Sequence, residues 1–337
     1  MRPLLFFHED CFEHDAGRGH PERPDRLTAA IDGARSWGGE IEERPAPLAR
    51  VEDLYGVHDP SYVAAIRDFC KAGGGALDAD TVAVPDSWTA ALRAAGAGLA
   101  ALEAVDSGET DLAFLAVRPP GHHALTARAM GFCLFNNVAV TADAIRARGD
   151  RVAVVDWDVH HGNGTQDTFY GDGSVLYVSL HEFPFYPGTG WLDETGRGPG
   201  RGTTVNVPLP ARTAGDAYRE AFDRVILPAI TEYSPSCILV SAGYDAHLAD
   251  PLAALMLEEA DYQWMAAALA RSGLPVVYFL EGGYDLAAIR GSVAATLLGA
   301  SGADAQPSGA GSPRRAFQTI DLVAEAQSEY WKGVQAP

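Results

Sequence analysis

The chain has 337 residues, 47% of them hydrophobic, which suits a large packed core and argues against disorder over its whole length. A formal net charge of −20, from 45 acidic and 25 basic residues, argues against direct nucleic-acid binding and mildly favours cationic substrates such as lysine side chains or polyamines. With no apolar run of about 18 residues, a membrane span is not expected.

The opening MRPLLFFHEDCFEHD turns polar after six residues and lacks the apolar core of a signal peptide, so a cytoplasmic location is the expectation. Within it, Leu4–Phe7 predicts a first strand ending in HED. Helical spacing follows at 24–37, 61–71 and 87–105. The apolar run 112–117 predicts a strand before RPPGHH, and 135–148 a helix. Strands are predicted at 152–155 before DWDVHHGNG and at 175–180 before HEFPFYPGTG, then a helix at 214–232. The run 237–240 leads into SAGYDAH, 258–272 reads as helix, Val276–Leu280 leads into EGGYD, and 286–299 is again helical. The stretch 301–315, SGADAQPSGAGSPRR, predicts a flexible surface loop, and 316–334 a last helix docked on the domain. The cysteines, Cys11, Cys70, Cys133 and Cys237, form no C-x-x-C pair and read as buried reduced thiols rather than as a disulfide framework.

Continuous apolar runs of this length suit strands covered on both faces, hence a parallel sheet. Their alternation with helices predicts one α/β domain over 1–337, with helices on both faces. The polar clusters repeatedly follow strand carboxyl ends, where open α/β sheets bind ligands.

In AVVDWDVHHGNGTQDTFY, strand alternation turns Asp156, Asp158 and His160 one way and Trp157, Val159 and His161 the other. Two carboxylates and an imidazole on one edge suit a divalent ion of zinc type, without selecting zinc over Fe(II) or Co(II). Pro119-Pro120-Gly121 stiffens the turn presenting His122 and His123, which suits a proton-transfer pair beside metal-activated water. Asp245 in SAGYDAH reads either as a third ligand or as a turn or cap residue. Tyr284, on the glycine turn of EGGYD, could donate its hydroxyl to a developing oxyanion. Together these pieces suit metal-assisted amide hydrolysis. No G-x-S-x-G elbow or Walker A loop accompanies them.

HPERPDR (20–26), RPPGHHA (118–124), GFCLFNN (131–137), DWDVHHGNGTQ (156–166), SLHEFPFYPGTG (179–190), SAGYDAH (241–247) and EGGYD (281–285) stand in an order that resembles the histone deacetylase family. That family includes acetylpolyamine amidohydrolases, and the wording looks closest to its class II branch. The resemblance implies an arginase-like three-layer α/β sandwich with a mainly parallel, eight-stranded sheet. It also implies one catalytic Zn²⁺, held by Asp158, His160 and Asp245. By position, Asp156 bonds His122, His123 is the general base, His122 its electrostatic partner and Tyr284 the oxyanion donor; His161 has a structural role. Asn163 stands where many relatives place an Asp, so His123 is expected to be neutral at physiological pH. Gly131, Phe132, Tyr186 and Leu252 are implied for the substrate tunnel, and Asp78 for its rim, with Asp80 a competitor. Arg26 is implied in an acetate channel, against the alternative of a surface salt bridge. A structural K⁺ is implied at Asp156, Asp158, His160, Ser179 and Leu180.

The expected substrate is an acetylated lysine side chain or a similar acetylated amine. Alternatives are an acetylated polyamine, or an acyl-lysine-binding protein with weak catalysis. Assembly as a homo-oligomer stays open.

Overall fold

A computed structural model describes residues 2–306, 308 and 311–337. In chain order the elements are β1 (Leu4–Phe7), α1 (Asp25–Ser36), β2 (Glu42–Pro45), α2 (Pro60–Lys71), β3 (Gly75–Ala76), β4 (Val82–Ala83) and α3 (Ser87–Asp106). Next come β5 (Leu112–Leu115), α4 (Asn137–Arg146), β6 (Val152–Asp156), α5 (Asn163–Phe169), β7 (Val175–Glu182) and β8 (Thr204–Leu209). The chain finishes with α6 (Gly215–Ala221), α7 (Leu227–Tyr233), β9 (Cys237–Ala242), α8 (Glu259–Ala270), β10 (Val276–Leu280), α9 (Leu286–Ala300) and α10 (Arg314–Gln327).

Eight strands form one sheet in the order β2-β1-β5-β10-β9-β6-β7-β8. Every pairing in it is parallel. All residues of β5, β6, β7, β9 and β10 are buried, as continuous Val/Leu/Ile runs require when helices cover both faces. Helix α9 packs between α1 and α8, while α3 and α4 pack together against β5, β6 and β10.

Two sheet strands escape the sequence pattern. Strand β2 reads EERP, with alternating exposure, and a charged edge strand carries no apolar run. Strand β8 reads TVNVPL; Asn206 and Pro208 interrupt its pattern, and α10 buries it. The short pair β3 and β4 is antiparallel and turns through the LDADT stretch, closed by Leu77 N–H donating to Thr81 O at 2.8 Å. The helix expected over 214–232 is two α-helices joined by a π-helical turn at Phe222–Ile226.

At the C-terminal end, α10 begins two residues before the expected 316 and stops at Gln327. Trp331 and Val334 still reach the core, and the Trp331 indole donates to Gly202 O at 3.0 Å. The expected flexible loop over 301–315 is anchored where it is described. Ser308 N–H and hydroxyl both donate to Asp261, and Ser312 N–H bonds Asp216. Pro307, Gly309 and Ala310 of that loop lie outside the described residues. No helix among the described residues is long and apolar enough to cross a membrane.

Candidate metal centre and active site

The four central strands, β5, β10, β9 and β6, are consecutive neighbours in the sheet, and each carries one polar cluster at its carboxyl end. The clusters therefore meet at one point above the sheet. Asp158 and His160, just past β6, converge with Asp245, just past β9. One donor atom from each lies within 4.8 Å of the other two. His160 Nδ1 is 3.0 Å from Asp158 Oδ1 and 3.3 Å from Asp245 Oδ2.

Strand alternation is not what aligns them. Strand β6 ends at Asp156, and the chain then bends. Asp156 is turned to other work: it accepts from His122 Nδ1–H at 3.0 Å, from the Tyr177 hydroxyl at 3.1 Å and from Asp158 N–H at 3.2 Å. His161 faces away from the triad, bonded to Thr189 Oγ1 at 2.8 Å and Gln166 Oε1 at 3.0 Å.

The triad fits a divalent cation on its own geometry. Asp245 Oδ2 is buried with no hydrogen-bond partner, an expensive state for a carboxylate oxygen unless a cation takes the lone pair. Two carboxylates with one imidazole nitrogen are a hard-to-borderline donor set that suits zinc, with Fe(II) and Co(II) the nearest competitors. The approach of the β10 turn is equally close. Gly282 N–H donates to Asp158 Oδ2 at 2.8 Å, and a Cβ on Gly282 would stand 1.9 Å from Asp245 Oδ2.

His122 and His123 lie beside the triad with ring centroids 4.0 Å apart. Burial alone would lower the His122 pKa, but the carboxylates of Asp156 and Asp158 outweigh it and lift the ring to about 10. His123 goes the other way: burial, then the neighbouring His122 and His160, hold it well below the ordinary histidine value. Its Nδ1 faces Asn163 Oδ1 at 2.8 Å. An amide oxygen can only accept, so Nδ1 carries the proton and Nε2 keeps a free lone pair. Carboxylates thus favour the charged form of one imidazole, while burial and the neighbouring rings favour the neutral form of the other.

A cavity of about 240 Å³ opens over these groups. Its walls include Gly131, Phe132, Tyr186, Leu252 and Tyr284, with the two histidines and His160 at the base. Gly131 has φ +57°, and a Cβ there would meet the His123 ring at 2.4 Å, so only glycine lets the wall pass the ring. Phe132 stands edge-on to Tyr284, centroids 6.0 Å apart. Burial holds the Tyr284 phenol well above its ordinary pKa, so it is a neutral hydroxyl donor.

The rim differs from expectation. Asp80, not Asp78, lines the cavity. Asp78 is spent inside its own hairpin, accepting from Asp80 N–H at 3.1 Å and Thr81 N–H at 2.7 Å. A two-residue alternation in LDADT does not reveal which carboxylate caps the turn. Arg26 is fully buried, which rules out the surface salt bridge. It donates to Glu22 at 2.6 Å and to the carbonyls of Glu281 and Gly283, with its guanidinium 5.0 Å from the Tyr284 ring. Asp156 and Ser179 are cross-strand partners on β6 and β7, and Leu180 follows Ser179, fully buried.

Two further contributors have no role in the sequence-based expectations. Asp250 accepts from Tyr284 N–H at 2.7 Å and Leu252 N–H at 2.9 Å, bracing two wall residues at once. His20 stands edge-on to Phe132 at 4.8 Å and meets the Asp80 carbonyl at 3.0 Å.

Residues 20–300 match the histone deacetylase domain. A probable deacetylase of Archaeoglobus fulgidus is 40% identical over 305 residues, covering 88% of this chain and 84% of that protein. A histone deacetylase-like amidohydrolase of Pseudomonas aeruginosa is 40% identical over 314 residues, covering 84% and 82% respectively. The crystal structure of the HDA15 HD domain superposes with a TM-score of 0.91 at 36% identity, over 99% of this chain and 96% of that one.

Proposed function

The chain belongs to the histone deacetylase family, and on that premise we propose that it is a zinc-dependent amidohydrolase removing the acetyl group from acetylated lysine side chains or similar primary amines. The observation that carries this reading is the Asp158–His160–Asp245 triad, whose His160 lines the same cavity as neutral His123 and Tyr284.

Asp158, His160 and Asp245 would hold the ion. When bound it supplies Lewis-acid polarisation of the amide carbonyl and makes water a stronger nucleophile at neutral pH. Two carboxylates offset the formal charge of the ion, so a protein base is needed beside it. His123 accepts the proton of the attacking water at Nε2, because Asn163 fixes its proton on Nδ1. The same ring returns that proton to the departing amine nitrogen. His122, charged and bonded to Asp156, stabilises negative charge developing beside it. The Tyr284 hydroxyl donates to the carbonyl oxygen as it becomes an oxyanion. Acetate and the free amine result. Arg26, beneath Tyr284, is a fixed positive charge toward which acetate would be drawn.

Phe132 and Tyr186 suit the apolar stem of a lysine, and Leu252 offers no carboxylate to a distant ammonium. Acetyl-lysine is therefore the preferred substrate over an acetylpolyamine. We also assign a structural K⁺ to Asp156, Ser179 and the backbone oxygens of Asp158, His160 and Leu180, a reading supported by the pairing of Asp156 with Ser179.

The test is acetate release by zinc-loaded protein from an acetyl-lysine peptide and from N-acetylputrescine. Peptide turnover is expected. A hundredfold preference for the polyamine would reassign the substrate, and binding without acetate release would remove the enzyme reading.

A further inference from the structure

Glu281 directly follows β10 and carries a fully buried carboxylate that the chemistry above leaves without a task. No lysine or arginine side chain pairs with it among the described residues; its partners are backbone amides and a hydroxyl. Oε2 accepts from Gly121 N–H at 2.7 Å and from His122 N–H at 3.2 Å. Oε1 accepts from the Ser241 hydroxyl at 3.2 Å. Its own backbone is fixed as well, since its N–H donates to Ala242 O at 3.2 Å and its carbonyl accepts from Arg26.

Two turns and strand β9 are joined at this one residue. Gly121 and His122 open the turn that carries His123, 160 residues away from Glu281 in the case of Gly121. Ser241 lies on β9, just before the turn to Asp245. Gly282 and Gly283 follow Glu281 directly and lead to Tyr284. One side-chain oxygen accepting from two successive backbone N–H groups, with the other oxygen held by Ser241, fixes the direction of those amides by geometry.

We propose that Glu281 is a positioning residue: its carboxylate fixes the His122–His123 turn relative to the Tyr284 turn, setting the distance between general base and oxyanion donor. The inference rests on the deacetylase reading of this site. Displacements of about 1 Å at a reacting group cost roughly a hundredfold in rate, so the anchor is felt in turnover rather than in substrate binding.

Three variants separate position from charge. E281Q keeps an acceptor oxygen for both amides and offers its NH₂ to the Ser241 oxygen, but removes the charge. E281D keeps the charge and withdraws it from the amides by one methylene. E281A removes both. Expected for E281Q is a kcat within about fivefold of wild type; for E281D and E281A, a kcat about 100-fold lower, with KM within about threefold and zinc content unchanged. Amide hydrogen exchange at Gly121 and His122 should accelerate at least tenfold in E281D and stay slow in E281Q. If E281A does not fold, the other two variants decide.

An E281Q enzyme as slow as E281D would show that charge, not anchoring, matters, and would overturn the proposal. So would an E281D enzyme with wild-type kcat and slow exchange. If wild type itself released no acetate, the functional reading would fail, while the exchange measurement would still decide whether Glu281 anchors the turn.

Discussion

His123 Nδ1 and Asn163 Oδ1 lie 2.8 Å apart, and that contact decides which ring nitrogen of the proposed base carries the proton. The amide fixes the tautomer without adding a negative charge, while burial holds the ring neutral. Replacing Asn163 with Asp keeps the acceptor and adds charge, which favours the imidazolium and raises the His123 pKa. Activity needs the neutral ring, so it rises as pH passes that pKa, and the acidic limb should move to higher pH by roughly one unit or more. A pH–rate profile of kcat/KM for Asn163→Asp with an unmoved acidic limb would falsify this assignment.

Tyr284→Phe removes the proposed oxyanion donor and leaves the ring in place against Phe132. The expected loss in kcat is about 10²–10³-fold, with KM little changed and zinc retained. Steady-state kinetics alongside metal analysis check it; a matching loss of zinc would move Tyr284 into a structural role.

The unpartnered Asp245 Oδ2 makes a prediction about stability. Chelating the metal should lower the melting temperature, because an ion that binds only the folded chain stabilises it by mass action, about 4 kcal/mol at a thousandfold excess over Kd. Zinc titrated back should restore both melting temperature and activity in wild type, and neither in Asp245→Ala. Equal zinc stoichiometry in the two proteins would exclude Asp245 as a ligand.

Two glycines should fail in different ways. A Cβ on Gly131 meets the His123 ring at 2.4 Å, whereas one on Gly282 meets Asp245 Oδ2 at 1.9 Å. Gly131→Ala is therefore expected to keep zinc and lose kcat about 100-fold through the displaced base. Gly282→Ala is expected to lose zinc affinity first. Parallel zinc titrations separate the two, and tight binding by Gly282→Ala would contradict the geometry.

At the rim, Asp80→Ala should raise KM for an acetyl-lysine peptide about tenfold with a smaller change in kcat, since Asp80 lines the mouth of the cavity. Asp78→Ala should act through the hairpin it caps, read as faster hydrogen exchange at Asp80 and Thr81 N–H. An Asp78→Ala enzyme with the larger KM effect and unchanged exchange would reverse the two roles.

The chain by itself announced the groups proposed for the centre and the strand that each cluster follows. A buried parallel strand leaves a continuous apolar run, and the polar cluster after it is legible because it interrupts that run. Hence Asp158, His160, Asp245, His123 and Tyr284 could all be read as candidates from local pattern and family wording. The charged edge EERP and the interrupted TVNVPL left no such run, so β2 and β8 could not. Tertiary structure alone decided that β9 and β10, late in the chain, insert between β5 and β6, which brings four separate clusters to one point. It also decided that Asp80 rather than Asp78 faces the cavity, and that Glu281 and Asp250 hold the turns from behind. Those carboxylates bind backbone N–H groups, which every residue but proline possesses, so no side-chain pattern announces the partner. Only the strand order brings such groups within hydrogen-bonding distance.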